Sequence, residues 1–199
     1  MPQPPAKPAL RVLLCDADRG RAALLEQALA DAGYSVIARL SGAENLSAEV
    51  AHHQPDVIII DLDSPDRDTL EQMRSISREQ PRPIVMFAED DDSGTINQAI
   101  KAGVSAYVVD GLSGKRVRPV MEVAIARFRE YQALREELAR TKTSLEERKV
   151  IEQAKGLLMQ HRAMNENEAY QALRKLAMDQ GRKLPEVARN VIAIMELLG

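Results

Sequence analysis

The side chains best placed to do chemistry in this sequence are carboxylates at the ends of apolar runs. Asp16, with Asp18 close behind, closes Val12-Leu13-Leu14-Cys15, and Asp61 closes the β-branched run Val57-Ile58-Ile59-Ile60. Runs of this kind are buried parallel strands, and in a doubly wound sheet ligands sit outside the carboxyl ends of the strands. Acids gathered there suit a hard, oxygen-seeking cation, so Asp16, Asp18 and Asp61 form the expected acidic pocket, with Asp16 and Asp61 its candidate metal ligands. A second set is cationic. Arg148, Lys155 and Arg162 recur every seven residues, near two helical turns, and so share a face, while Ile151, Ala154, Leu158 and His161 line another. Histidine and cysteine add nothing catalytic. His52 and His53 fall in a helix-to-strand connection, read as a solvated loop, and His161 stands alone. The single cysteine, Cys15, cannot form an internal disulfide. Without a His/Cys/Asp constellation no enzymatic reading stands.

Alternating strand and helix signals position the acids. Strands are expected at residues 10–15, 34–40, 57–60, 84–87 and 106–109. Helices are expected at 22–32, closed by Gly33, at 69–79, and at 93–101, capped by Gly103. This is an α/β, flavodoxin-like doubly wound parallel sheet with right-handed crossovers. After Pro119 one long charged helix follows, with Tyr131, Leu134, Leu138, Thr141 and Leu145 at alternating spacings of three and four, the pattern of a short coiled-coil seam. Tyr131, Leu134, Leu138 and Leu145 are the expected dimerisation residues. From Arg148 three helices are expected, with breaks near Ala163-Met164 and Gly181-Arg182. Asn165 with Glu168 is a capping-box pair, and Pro185 suits a first helical turn. The organisation expected is a disordered tail at 1–9, a receiver-like domain at 10–118, a coiled-coil linker helix at 119–147 and a small three-helix domain at 148–199.

Composition agrees. The chain has 199 residues, 45% of them hydrophobic, but only 3% aromatic and no Trp, so its cores are built from Leu, Ile, Val, Ala and Met. The formal net charge of -3 hides an asymmetry, because from Arg148 onward Lys and Arg outnumber Asp and Glu. No apolar run approaches the roughly 18 residues of a membrane span, and the start MPQPPAKP has no apolar segment after its one lysine. A cytoplasmic, soluble protein is expected.

Over about residues 10–118, the stretches LLCDAD, DVIIIDLDSP, PIVMFAED and SAYVVDG resemble the receiver domain of bacterial response regulators. The resemblance puts Asp61 at the phosphoacceptor position, Asp16 at the first metal-binding acid, and Asp63 at the position that offers a backbone carbonyl. Three positions depart from the pattern. Ala17 stands for the second acid, Ala88 for the Ser or Thr that receives the phosphoryl group, and Asp110 for the Lys that pairs with it. Phosphoryl transfer needs its developing charge neutralised by metal and ammonium, so this is expected to be a pseudo-receiver with Asp61 vestigial. No cofactor is required, and Mg²⁺ is the one ion the pocket would take. Asp18, one residue past Ala17, projects in a different direction and is a poor substitute.

The C-terminal segment resembles the ANTAR domain, the RNA-binding output of AmiR and NasT-type antitermination regulators. The ordered matches are Arg148, Ile151, Ala154-Lys155-Gly156, Leu158-Met159, Glu168-Ala169-Tyr170, Leu173 through Met178, Lys183-Leu184 and Val187-Ala188. By that resemblance the protein binds hairpins in leader mRNA and prevents termination, acting on the RNA polymerase elongation complex indirectly. RNA loops are read by stacking and by donors to phosphate, so Arg148, Lys155, Gly156, Arg162, Tyr170, Arg174, Lys175 and Lys183 are the candidate RNA-binding residues. Gly156 either lets a backbone approach or serves a helix-packing contact, and Tyr170 either stacks a base or belongs to the core. Within the family, the retained Asp61, the run Glu89 to Asp92 and SAYVVDGL look most like the NasT type. This implies nitrate and nitrite assimilation genes as targets and a NasS-like sensor protein as the controlling partner. The alternatives are a phosphorylation-activated two-component regulator of other RNA or DNA targets, a helix-turn-helix DNA binder, and a coiled-coil adaptor. Against helix-turn-helix binding, the last helix is expected to spend Val187, Val191, Ile194 and Leu198 on its core, leaving little beyond Arg189 and Asn190 to read bases.

Overall fold

A computed structural model describes residues 9–109 and 114–198, with the side chains of residues 114, 115 and 198 excluded. Residues 1–8 of the expected tail, and Asp110, lie outside the described residues. The elements run β1 (Arg11–Asp16), α1 (Arg19–Asp31), β2 (Ser35–Leu40), α2 (Leu46–His53), β3 (Val57–Asp61), α3 (Arg67–Glu79), β4 (Ile84–Ala88), α4 (Ser93–Ala102), β5 (Ala106–Val109), α5 (Gly114–Arg162), α6 (Glu166–Gln180) and α7 (Leu184–Leu198). The five strands form one parallel sheet in the order β2-β1-β3-β4-β5. The chain divides into two compact units after Gln132.

In the first unit strand alternation sorts the core. Leu13, Cys15, Ile58, Ile60, Ile84 and Met86 face one way and are covered by Leu46 and Val50 of α2, by Leu70, Met73 and Ile76 of α3, and by Ala99 and Ala102 of α4. Val12, Leu14, Ile59, Val85 and Phe87 face the other, against Ala22, Leu25 and Leu29 of α1 and Val117, Met121 and Ala124 of α5. Helices α1, α3 and α4 each start where an aspartate accepts free N–H groups. Asp66 accepts from the Thr69 N–H at 2.7 Å and Asp92 from that of Thr95 at 2.9 Å. Gly103 ends α4 at φ 105°, where a Cβ would meet Ser77 Oγ at 2.6 Å, so the tight turn needs glycine on both counts.

Two elements differ from expectation. Leu46–His53 is helical, with Leu46 and Val50 buried one turn apart, so His52 and His53 sit in the last turn of α2 and not in a loop. His53 Nε2 lies 3.3 Å from Glu49. The long helix starts at Gly114 with Pro119 inside it, because its first turns carry core residues that the sheet needs covered. The same helix runs without a break to Arg162.

The second unit has its own small core of Ala154, Leu158, Ala169, Leu173 and Ala188, with Val150, Ile151, Met164, Leu184, Val191, Ile192 and Met195 packed against it. The capping box forms as expected: Asn165 Oδ1 accepts from the Glu168 N–H and Glu168 accepts from the Asn165 N–H, each at 2.9 Å. The buried stripe of α7 is rotated from the expected one. Ala188, Val191, Ile192 and Met195 pack with residues of α5 and α6 and Val187 is buried, while Ile194 is exposed and Leu198 lies outside the described side chains. Arg189 and Asn190 are exposed, and no further basic side chain lies on α7. No helix among the described residues is long and apolar enough to cross a membrane.

Candidate functional site

Strand register builds the acid pocket. Asp16 and Asp61 end adjacent parallel strands and are direct partners in the ladder, at the point where strand order reverses between β1 and β3. Both are buried, with side chains 0% and 7% exposed. A residue missed at the sequence level lies between them. Arg21, in the first turn of α1, places Nη2 3.2 Å from Asp16, Nε 3.3 Å from Asp61 and Nη1 3.8 Å from Asp63. A signal was available: a cation in the first turn opposes the helix dipole and so points to a specific anionic partner. Arg19 shares that position, however, and spacing does not choose between them.

The remaining pocket residues are committed elsewhere. Asp18 is the N-cap of α1 and is exposed. Its Oδ1 accepts from the N–H groups of Gly20 at 2.7 Å and Arg21 at 2.9 Å, which holds its carboxyl below the usual range. It is therefore not a member of the pocket. The Asp63 carbonyl accepts two backbone N–H groups, from Glu89 and Asp90, each at 3.1 Å. Ala17 and Ala88 offer no side-chain donor or acceptor. The residues present do not fit a divalent ion. One acid is missing, the neighbouring carboxylate caps a helix, the carbonyl is engaged, and a guanidinium sits against the two buried acids. Among the described residues no group of three or more His, Cys, Asp or Glu side chains is placed to hold a metal. Asp16 and Asp61 thus form a charge-paired cluster and not the expected metal pair.

Burial pushes the Asp61 carboxyl up to about 6; Arg21 opposes this, and the charges of Asp16, Asp63 and Glu89 add to it. Burial, then Asp16 and Asp61, raise the Cys15 thiol to about 12, the state of an inert core cysteine. Beside the pocket, Tyr107 donates from its hydroxyl to the Asp90 carbonyl at 2.8 Å, and Ser64 to the Asp90 carboxylate at 2.9 Å, tying the β4–α4 loop to β5 and to the β3–α3 loop.

In the second unit the candidate RNA-binding residues separate into two groups. Arg148, Gly156, Arg162, Tyr170, Arg174, Lys175 and Lys183 are exposed. Lys155 is not: its side chain is 8% exposed, and its Nζ donates to Glu152 at 2.9 Å and to Glu166 at 2.7 Å. These bonds, Glu166 foremost, raise the lysine's pKa and lower that of Glu166. Spacing by seven placed Lys155 with Arg148 and Arg162, but it also lies four residues after Ile151 and three before Leu158, on the edge of the packed stripe. It joins α5 to the first turn of α6. His161, expected on the apolar face, is exposed. A Cβ at Gly156 would meet nothing within 4 Å, so among the described residues no helix packs against it. Tyr170, at 39% exposure, is not a core residue and shares a face with Arg174 one turn on.

A parallel five-stranded sheet with paired acids at its switch point, and a separate basic helical unit, define a response-regulator receiver coupled to an output domain. Residues 12–118 match the response regulator receiver domain and residues 139–192 the ANTAR domain. The chain is 31% identical over 175 residues to the transcriptional regulatory protein PdtaR of Mycobacterium tuberculosis, covering 88% of this chain and 84% of that one. It is 47% identical over 68 residues to the nitrate regulatory protein of Klebsiella oxytoca, covering 34% of this chain and 17% of that one. The signal receiver domain of a modulated diguanylate cyclase from Desulfovibrio desulfuricans G20 superposes with TM-score 0.54 at 20% identity, covering 62% of this chain and 98% of that chain. That likeness concerns the fold. The chain belongs to the AmiR/NasT-type response regulators, a receiver domain joined to an RNA-binding ANTAR domain.

Proposed function

We propose that the protein is a NasT-type antiterminator. It binds hairpins in leader mRNA, keeps nitrate and nitrite assimilation genes transcribed, and is released for that work by a NasS-like sensor protein, without phosphorylation of Asp61. The observation that carries the control mechanism is the acid pocket: Arg21 pairs with Asp16 and Asp61 where a phosphoryl switch needs metal. The RNA surface of this reading consists of Arg148, Arg162, Arg174, Lys175 and Lys183 as phosphate donors, Tyr170 as a stacking ring and Gly156 as a point of close approach. Lys155 supports that surface by joining two helices. The exposed side chains of Tyr131, Leu134, Leu138 and Leu145 supply the seam of a cytoplasmic homodimer, which pairs two ANTAR domains for two hairpins. RNA polymerase is reached only through the transcript.

A second reading of the target has its own support. Similarity to PdtaR extends over both domains, whereas similarity to the nitrate regulatory protein spans 68 residues, which favours leaders of other genes. Crosslinking the protein to cellular RNA and sequencing the bound leaders decides between them. Enrichment of nitrate-assimilation leaders supports the first, and other leaders the second. Preference for duplex DNA over hairpin RNA in competition binding overturns both. Stoichiometric modification of Asp61 by a small phosphodonor with Mg²⁺, accompanied by a change in RNA affinity, removes the sensor-only control.

A further inference from the structure

Two buried carboxylates at neighbouring strand ends, about 5 Å apart in the sheet direction, repel each other unless a cation stands between them. Receiver pockets of ordinary composition leave that place to a divalent ion. In this chain it is taken by a group covalently attached to the protein. The α1 N-cap orients it: Asp18 Oδ1 accepts from the backbone N–H of Arg21 at 2.9 Å, and the side chain then reaches back one turn to Asp16 and Asp61. The planar fork reaches Asp16 from both Nη2, at 3.2 Å, and Nε, at 3.4 Å, while Nε also lies 3.3 Å from Asp61. One guanidinium therefore satisfies both acids, as a bidentate donor does and a lysine ammonium does less well.

We infer that Arg21 is a tethered counter-ion that replaces the divalent cation of the receiver pocket, so that Asp16 and Asp61 have a cation between them without metal. Arginine stays protonated at every physiological pH, so the cation is always in place, where a metal-dependent pocket is either loaded or empty. The departure at Ala17 and the bonding of Asp18 and of the Asp63 carbonyl fit together on this basis. With the cation built in, a second acid at residue 17 is surplus, Asp18 is free to cap the helix, and the Asp63 carbonyl is free to bond the β4–α4 loop. The inference concerns the pocket alone and stands whichever RNA the ANTAR domain binds.

The test is Mn²⁺ binding to the full-length chain, followed by the loss of the free-ion electron paramagnetic resonance signal. The wild type is expected to show no binding that depends on Asp16. Arg21→Ser, which removes the positive charge and opens the space, is expected to gain one Mn²⁺ per chain at about tenfold or more higher affinity. Adding Asp16→Asn to it removes that gain. The melting temperature of the wild type is expected to be equal in EDTA and in millimolar Mg²⁺, whereas Arg21→Ser melts lower in EDTA and recovers with Mg²⁺. If Arg21→Ser does not fold, Arg21→Gln supplies the neutral variant, and the wild-type comparison with Asp16→Asn stands without either. Wild-type binding of one Mn²⁺ through Asp16, or a folded neutral variant that gains none, overturns the inference.

Discussion

Neutralising the phosphoacceptor position by Asp61→Asn is expected to stabilise the protein at neutral pH. Asp61 is buried, and its carboxyl lies at about 6 against an ordinary 3.8. A carboxyl raised in the folded state binds its proton more tightly there than in the unfolded chain, so the stability it subtracts is absent below pH 3.8. The loss grows as pH rises between the two values and is complete above about 6. Two pH units correspond to about 3 kcal/mol, which is the ceiling of the gain. Asparagine keeps the shape and a carbonyl acceptor, and Arg21 keeps Asp16, so the substitution orphans neither; the weakened Arg21 pairing brings the expected gain to about 1–3 kcal/mol. That corresponds to roughly 4–12 °C in the melting temperature of the receiver unit. Differential scanning calorimetry of the full chain at pH 7.5, 6, 5 and 4 measures it, with the difference from wild type falling to about 0.5 kcal/mol or less at pH 4. An asparagine variant less stable than wild type at pH 7.5, or a gain of unchanged size at pH 4, refutes the reasoning.

Cys15, with its thiol pushed to about 12, is expected to react with a disulfide reagent at pH 8 about a thousandfold more slowly in the native chain than in urea; comparable rates would place it outside the core. Leu173→Ala, at a fully buried position in the ANTAR core, is expected to cost about 2–5 kcal/mol and to lower the melting of the second unit while leaving the receiver transition in place, as read by calorimetry. Arg148→Ala with Arg174→Ala is expected to weaken RNA binding and to reduce the slope of log affinity against log salt by about two, with melting unchanged. Lys155→Ala is expected to lower melting and RNA affinity together, because Glu152 and Glu166 lose the donor that joins α5 to α6; a pure affinity loss would return Lys155 to the RNA surface.

The sheet was legible because its signals are local and redundant. Apolar runs such as 57–60, glycines at helix ends and acids at N-caps each specify a boundary without reference to the rest of the chain. The helix Leu46–His53 was not, because at eight residues it shows only two buried positions and carries a His-His pair that reads as a connection. For the basic surface, heptad spacing identified a common direction for Arg148, Lys155 and Arg162. It did not say where α6 covers α5, and that contact is what withdraws Lys155 and leaves the two arginines exposed.

Sequence alone determined the parallel sheet, the acids at its carboxyl edge, the defect at Ala17 and Ala88, and the ordered ANTAR residues, since each of these is written in consecutive residue types. Tertiary structure alone decided what those groups are bonded to. Whether Asp18 joins the pocket or caps α1, whether Asp63 offers its carbonyl or spends it on Glu89 and Asp90, and whether Arg21 or Arg19 reaches Asp16 depend on directions. A direction follows from strand register and helix rotation, which place groups five to forty residues apart within 4 Å of each other. Residue identity at Asp16 and Asp61 suggested a cation between them; the rotation of α1 made that cation an arginine.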